Sequence, residues 1–305
     1  MHVTLLHNPN AGRGKATADD LIGLIRKAGY DVTYVSIKGD YKTALRTPGD
    51  FIAIAGGDGT VEKVGRRMAG AGVLLAILPL GTANNIANAL DIRGSLREIV
   101  NGWKTARRRS FDVGIAKGPW GERRFLEGVG LGPIPIGMKA FQKKEYARAP
   151  SSKKLHHASR TMREIIEKHP AHPYEIRLDG RDMSGSYVFV AAMNIGALGP
   201  QVAVAPEADP SDGLFHLVLI DASHREALLA SASSRGNRRL GTSKLTFPLG
   251  RHIQITWSGA PLHIDDEIWP YENHDYASVN NVTADIRIEP GALEFLVPGT
   301  IRGER

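Results

Sequence analysis

The sequence predicts an α/β N-terminal domain with a mostly parallel sheet, followed by a C-terminal antiparallel β-sandwich domain that carries a basic helical insertion. Three observations predict this. Up to about residue 110, short apolar runs alternate with amphipathic stretches, a pattern that implies parallel strands joined by helices. From Phe111 onward many short strand-like runs are separated by Gly, Pro and Asn, as in sandwiches and barrels. Between Gly137 and Lys168 that second pattern gives way to a helical stretch dense in Lys and Arg.

In the first half, strands are expected at 3–6, 32–37, 51–55 and 74–78, with helices near 15–28, 42–45, 61–69 and 84–90. The helix at 15–28 carries Ala18, Leu21, Ile22, Ile25 and Ala28 on one face, so most of its residues serve packing. In the second half, strands are expected at 111–115, 124–129, 174–178, 186–193, 214–220, 244–247, 253–257, 262–268 and 284–288. The domain boundary is placed between residues 111 and 112, where the pattern changes.

With 42% hydrophobic and 23% charged residues, the 305-residue chain reads as a globular protein long enough for two ordinary domains. No apolar run approaches the roughly 18 residues that span a bilayer, and Met1 leads straight into a strand-like run. A cytoplasmic protein is expected. The absence of cysteine excludes disulfides, thiolate catalysis and cysteine zinc sites. The formal charge of +7 is unevenly spread, since residues 139–169 hold nine Lys/Arg against three Glu. Phe141, Tyr146, Leu155, Met162, Ile165 and Ile166 interrupt those cations. The segment reads either as a surface helix pair meeting anionic headgroups or as a solvated charged face. No nucleic acid is expected as a partner, because no aromatic and basic recognition motif accompanies the positive charge.

Chemistry concentrates where strands end. Gly56, Gly57, Asp58, Gly59 and Thr60 follow the run at 51–55 and precede a helix. Glycines let a phosphate approach backbone amides, and a helix start offers free N–H groups. Asp58 suits a divalent cation, or else caps the helix. Leu80, Gly81, Thr82, Ala83 and Asn84 repeat the arrangement after 74–78, and the stretch from Asn8 through Gly12 to Lys15 repeats it after 3–6. Consecutive strand ends of a parallel sheet share one edge, where ligands of open α/β sheets bind. Pro9 stands where a Walker A loop needs its first Gly, and Gly12 with Gly14 lacks the third Gly of the dinucleotide fingerprint. Neither of those motifs is present.

Two later segments are acidic. If 262–268 is one strand, Asp265 and Glu267 share a face, and adjacent carboxylates raise one pKa toward a proton-accepting range. The other reading of that segment is an exposed acidic strand. Asp209 and Asp212, in a loop containing Pro and Gly, suit either a hard cation or an Asx turn.

Together these residues resemble the catalytic family of diacylglycerol kinases, which includes sphingosine kinases and bacterial soluble lipid kinases and is distantly related to NAD kinases. The likeness is carried by Asn8-Pro9 with Gly12, by Gly56 to Thr60 with Glu62, and by Pro79 to Thr82 with Asn84. It continues through Ala191 to Asn194, Ala205 to Leu214, His263 to Glu267, and Ile288 to Leu293 with Val297-Pro298, nearly the whole chain.

The resemblance implies an ATP- and Mg2+-dependent lipid kinase that transfers the γ-phosphoryl group to a hydroxyl of a diacylglycerol-like or sphingoid lipid. It would work at the anionic membrane surface as a peripheral protein. Residues 1–111 become a nucleotide-binding domain to which 293–305 return, and 112–292 a lipid-binding domain. The nucleotide is assigned to Asn8, Gly12, Lys15, Ser36, Gly56, Gly57, Asp58, Gly59, Thr60, Glu62, Gly81, Thr82 and Asn84. Asp58 would also ligate the catalytic cation. Glu267 takes the position of the proton acceptor and Asp265 that of the motif's Asp, and either can be the base. A structural magnesium falls to Asp209, Asp212 and the carbonyl of Leu214. An exposed edge strand of the second domain offers a surface for a homodimer.

Two residues depart from the family pattern. Asp266 replaces the Gly of the late Asp-Gly-Glu motif, and Asn85 replaces the Asp common after Gly-Thr-x-Asn. They motivate the alternative of a noncatalytic nucleotide or lipid sensor; an NAD kinase-like enzyme with a soluble acceptor is a further one.

Overall fold

The computed structural model describes residues 1–14, 16–142, 151–199, 202–233, 247–270 and 280–299. The chain divides into two compact units. The first holds Met1–Val113, Pro210–Asp212 and the chain from Pro290 onward, and the second holds Gly114–Asp209 and Gly213–Glu289.

In the first unit β1 (His2–His7), β2 (Asp31–Ser36), β3 (Phe51–Gly56) and β4 (Leu74–Pro79) pair in parallel in the order β4-β3-β1-β2. All of β3 is buried, which is why it reads as a continuous apolar run, whereas the edge strand β2 exposes Asp31 and Thr33. The connecting helices are α1 (Ala18–Lys27), α2 (Tyr41–Ala44), α3 (Asp58–Met68), α4 (Asn85–Ala89) and α5 (Leu96–Gly102). α1 starts later than periodicity predicts, because a capping box between Thr17 and Asp20 sets its first turn and Ala11–Gly14 winds into a separate 3-10 turn. Leu21 and Ile25 are its fully buried anchors, at about 2 kcal/mol each. Conversely, α3 starts three residues earlier than expected, taking Asp58, Gly59 and Thr60 into its first turn. α5 has no counterpart among the expected elements, although Ser95 and Glu98 form a second capping box at its start.

In the second unit the antiparallel strands are shorter and more numerous. β5 (Arg107–Gly118) enters it after Val113, and β6 (Gly121–Phe125) and β7 (Gly128–Leu131) follow. After α6 (Pro133–Gln142) and α7 (Ser151–Lys168) come β8 (His172–Leu178), β9 (Arg181–Asp182), β10 (Gly185–Tyr187) and β11 (Phe189–Met193). β12 (Ala197–Leu198) and β13 (Val202–Ala203) form a small ribbon before β14 (Phe215–Ile220) and α8 (Arg225–Ser233). The unit closes with β15 (Leu249–Gly250), β16 (His252–Trp257), β17 (Leu262–Ile264), β18 (Glu267–Trp269) and the first half of β19 (Val282–Val297).

One sheet of this unit has the order β10-β8-β16-β19 and the other β15-β14-β11-β7-β17-β18. Ile176, Ile253, Ile255 and Ile286 of the first sheet meet Val129, Val190, Leu217 and Leu262 of the second in one apolar core, the interior of a β-sandwich. The opposite face of the second sheet, with Ala191, Met193 and Val218, packs on Ile134 of α6, Met162 and Ile166 of α7 and Leu228 of α8. Strand alternation gives each layer its two destinations.

Several expected strands prove to be pairs. The run 124–129 breaks at Leu126-Glu127, the run 186–193 breaks at Val188, and 262–268 folds back on itself at Asp265-Asp266. Residues 244–246 of another expected strand, like residues 143–150 of the basic insertion, lie outside the described residues. Within the insertion, Met162 and Ile166 are buried and Phe141 packs beside them, so these apolar side chains face the sheet and not lipid headgroups. On the outer face, Arg160 pairs with Glu164 at 3.0 Å and Arg163 with Glu167 at 3.4 Å.

The final strand changes unit along its length. Its first half pairs with β16 (Val282↔Trp257 to Arg287↔His252), and in the first unit Glu294 and Phe295 run parallel beside Leu74 and Leu75 of β4. Asp112 secures this return. Its amide donates to the Pro210 carbonyl at 2.6 Å, and its carboxylate accepts the Gly291 amide at 2.8 Å.

Candidate functional site

In the first unit the parallel register brings the expected turns together. His7 lies opposite both Ser36 and Ala55, and Gly56 opposite Pro79, so the turns after β1, β3 and β4 leave the sheet at one level. The ladder continues into them, with the Asn8 amide donating to the Ala55 carbonyl at 2.9 Å and the Leu80 amide to Gly56 at 2.8 Å. The backbones then touch. A Cβ on Gly81 would sit 2.6 Å from the Gly57 Cα, and one on Gly12, whose φ is +58°, would sit 2.9 Å from the Leu80 carbonyl oxygen. These glycines are needed so that turns can pack on turns, in addition to any ligand they admit.

Side chains fix the same cluster. The Asn8 side-chain amide donates to Thr60 Oγ1 at 3.1 Å while its oxygen accepts the Asn10 amide at 3.1 Å. Thr60 is buried, and in this tie its hydroxyl is the acceptor. Asn84, in the left-handed region at φ 51°, accepts the Gly81 amide at 2.9 Å and donates to the Gly81 carbonyl at 3.0 Å, closing its own loop. Gly59 and Thr82 are the expected residues that stand exposed, and Ser36 is half-buried at the same edge. Glu62 is buried on α3 and pairs with Arg66 at 3.1 Å. Lys15 lies outside the described residues. Sequence reasoning passed over Lys38, whose ammonium donates to Asn10 Oδ1 at 2.9 Å beside the first turn.

Asp58 has a double position. It is the first residue of α3, and its Oδ1 accepts the Ile86 amide of α4 at 3.1 Å, so the capping alternative is realised on a different helix from the one expected. Burial pushes its carboxyl above the ordinary carboxylate pKa, opposed by amide hydrogen bonds from Ile86, Asp58 itself, Asn84 and Asn85. Asn85 itself is buried.

In the second unit the late acids do not form one strand face. Ile264 pairs with Glu267, which makes Asp265 and Asp266 the two-residue turn of a β17–β18 hairpin, with the left-handed conformation on Asp265 at φ 49°. The buried Asp265 carboxylate accepts the amides of Leu126 (2.9 Å), Glu127 (2.8 Å) and Gly128 (3.2 Å). This corrects the picture of two adjacent carboxylates tuning each other, because one is bound by backbone donors that a single-strand reading could not foresee. Glu267 stands half-buried at the start of β18 and Asp266 is exposed. Asn194 joins the same cluster, its side-chain amide donating to the Leu126 carbonyl at 2.8 Å and its backbone amide to that of Glu127 at 2.9 Å. Glu127, which is 5% exposed, belongs to it too and was missed from the sequence.

Asp209 is half-buried, Asp212 is exposed, and Leu214 precedes β14. Among the described residues no group of three or more His, Asp or Glu side chains converges as a metal site. Magnesium in phosphoryl-transfer sites commonly keeps waters and is held by one or two carboxylates plus substrate phosphates, so a single Asp58 beside the glycine turns is compatible with that donor set.

Residues 2–116 match the family model of the diacylglycerol kinase catalytic domain, and residues 134–297 match that of the YegS C-terminal NAD kinase beta sandwich-like domain. A diacylglycerol kinase of Mycobacterium tuberculosis is 24% identical over 319 residues, covering 97% of this chain and 95% of that protein. The crystal structure of a diacylglycerol kinase from Bacillus anthracis superposes with a TM-score of 0.68 at 18% identity, covering 98% of this chain and 97% of that one. Yeast NADH kinase complexed with NADH superposes at 0.55 with 11% identity, covering 98% of this chain and 84% of that one. The two superpositions establish a shared fold.

Proposed function

The chain belongs to the diacylglycerol kinase catalytic domain family of lipid kinases, and from that premise we propose that it transfers the γ-phosphoryl group of ATP to a lipid hydroxyl, with magnesium as the cation. One observation carries the reading. The turns after β1, β3 and β4 pack backbone to backbone at one edge of a parallel sheet, at Gly12 against Leu80 and Gly57 against Gly81. Such an edge, with a helix start at Asp58 and exposed Gly59 and Thr82 around it, suits the phosphates of a nucleotide. Asp58 would hold the cation, which when bound neutralises charge on the transferred group. In the second unit Asp265 would position the hairpin turn through its three amides, and Glu267 would accept the proton of the attacking hydroxyl. The lipid would be met at an anionic membrane surface.

The test is incubation of the purified chain with γ-labelled ATP, magnesium, NAD and a mixed lipid extract. Label in an organic-phase product supports the proposal. Label in an aqueous dinucleotide product points instead to the NAD kinase-like alternative, and nucleotide binding without turnover to a sensor.

A further inference from the structure

The turn after β2 leaves the sheet level with the turn after β1, because His7 and Ser36 are ladder partners and the Ile37 amide donates to the His7 carbonyl at 2.8 Å. Ser36 then folds its turn tightly. Its carbonyl accepts the Gly39 amide at 3.0 Å, and its hydroxyl accepts the Lys38 amide at 3.3 Å. The exposed side chain of Lys38 reaches across to the turn after β1, where its ammonium donates to Asn10 Oδ1 at 2.9 Å. Asn10 is exposed too, and its amide is held by the Asn8 side chain, which reaches on to Thr60 in the first turn of α3. Consecutive hydrogen bonds thus connect the Lys38 ammonium to the glycine turns. Among the described residues that ammonium pairs with no carboxylate, its partner being a neutral amide oxygen. Asp40, two residues on, gives its carboxylate to Thr43 at the start of α2. Lys38 therefore brings an uncompensated positive charge, on a flexible stem, to the rim of turns whose own donors are neutral backbone amides.

We propose, resting on the ATP-dependent kinase reading above, that Lys38 binds a non-transferred phosphate of the nucleotide, its ammonium exchanging Asn10 for a phosphate oxygen. Strand order sets which phosphates it meets. In the order β4-β3-β1-β2, Asp58 and the exposed Thr82 follow β3 and β4, whereas Lys38 follows β2 on the far side of β1. A triphosphate whose γ group lies at the Asp58 end extends its remaining phosphates toward β1 and β2. ADP keeps those phosphates, so the contact is made alike to substrate and product. Lys38 accordingly governs KM for ATP and the affinity for ADP, and leaves kcat nearly untouched. Asp58, as the ligand of the cation on the transferred group, acts on kcat.

The deciding experiment is binding of fluorescent mant-ADP to the full chain with magnesium, displaced in turn by ADP and by adenosine. In Lys38→Met the Kd for ADP should rise about tenfold while that for adenosine, which has no phosphate, stays put. Lys38→Arg should restore part of the loss. Asn10→Asp, which sets a carboxylate against the ammonium, should weaken ADP in the same direction with the lysine still in place. Lys42→Met, on the exposed side of α2, is the control for a general loss of charge and should bind ADP like wild type. In the transfer assay Lys38→Met should raise KM for ATP about tenfold with kcat close to wild type. Unchanged ADP affinity in a folded Lys38→Met overturns the proposal, as does an equal loss for adenosine or an equal loss in Lys42→Met. ADP affinity that follows Lys38 without transfer to any lipid sustains the contact and removes only the kinase reading, whereas a wild-type chain that binds no nucleotide removes both. Should Lys38→Met fail to fold, Asn10→Asp decides.

Discussion

Asp58 Oδ1 accepts the Ile86 amide at 3.1 Å, so a single carboxylate sits at the beginnings of two helices, α3 and α4. Capping and cation binding compete for its lone pairs, and two substitutions separate them. Asp58→Ala should cost about 1 kcal/mol in urea unfolding through loss of the cap, whereas Asp58→Asn, which can still accept the amide, should stay within about 0.5 kcal/mol of wild type. Both should lower phosphate transfer by about a hundredfold or more if the charge holds a cation. Wild-type transfer by Asp58→Asn would leave the residue as a cap alone. Because burial raises its pKa, the folded chain binds the Asp58 proton more tightly than the unfolded one. Its contribution to stability therefore declines as pH rises through that raised pKa, and Asp58→Asn should flatten the decline.

Gly81→Ala places a methyl 2.6 Å from the Gly57 Cα and 2.7 Å from Asn84 Oδ1, and the Gly57 backbone cannot swing aside. A loss of about 1–3 kcal/mol in chemical unfolding is expected. Gly23→Ala in α1 is the matched control, because nothing lies within 4 Å of its Cβ position. It should stabilise the chain by roughly 0.5–1 kcal/mol. Equal effects of the two changes would contradict the packing of the turns.

The carboxylates of the β17–β18 hairpin should respond in opposite ways. Asp265→Ala leaves the buried amides of Leu126, Glu127 and Gly128 without their acceptor, and a stability loss of at least about 3 kcal/mol is expected in calorimetry or urea unfolding. Glu267→Gln should unfold like wild type and lose transfer by about a hundredfold or more, with little change in KM for ATP. Retained activity in Glu267→Gln would remove that residue from proton transfer.

His263 gives the chain a defined acid sensitivity. Its pKa drops from the ordinary 6.5 to about 4 on burial, so the unfolded chain takes up a proton in that interval while the folded chain does not. Stability supplied by the neutral ring is complete above pH 6.5 and is lost as pH falls toward 4, on the order of 3 kcal/mol. Urea unfolding from pH 7 to pH 4 should show this slope, reduced in His263→Gln. An unchanged slope would place the acid sensitivity elsewhere.

The glycine turns after β1, β3 and β4 were legible because each follows an apolar run and because parallel pairing dictates that such ends share an edge. What spacing could not convey is which polar groups those turns consume. Asn8 in the turn after β1 and Thr60 on α3 bond to each other, residues distant in sequence. The hairpin at Asp265-Asp266 was hidden for a different reason. Its turn has no Gly or Asn, and Asp265 takes the left-handed region itself while three amides from another loop hold its carboxylate. α5 was legible in principle, since Ser95 with Glu98 three residues later is a helix-start signature.

The tie from Asp112 to Pro210 and Gly291 also decides how this gene can be cut. A fragment ending near residue 113 would lack the strand segment that flanks β4, and would present Leu74 and Leu75 as an open, apolar sheet margin prone to self-association. A soluble first half therefore requires grafting the stretch from Pro290 onward to the fragment through a linker, as in a circular permutation.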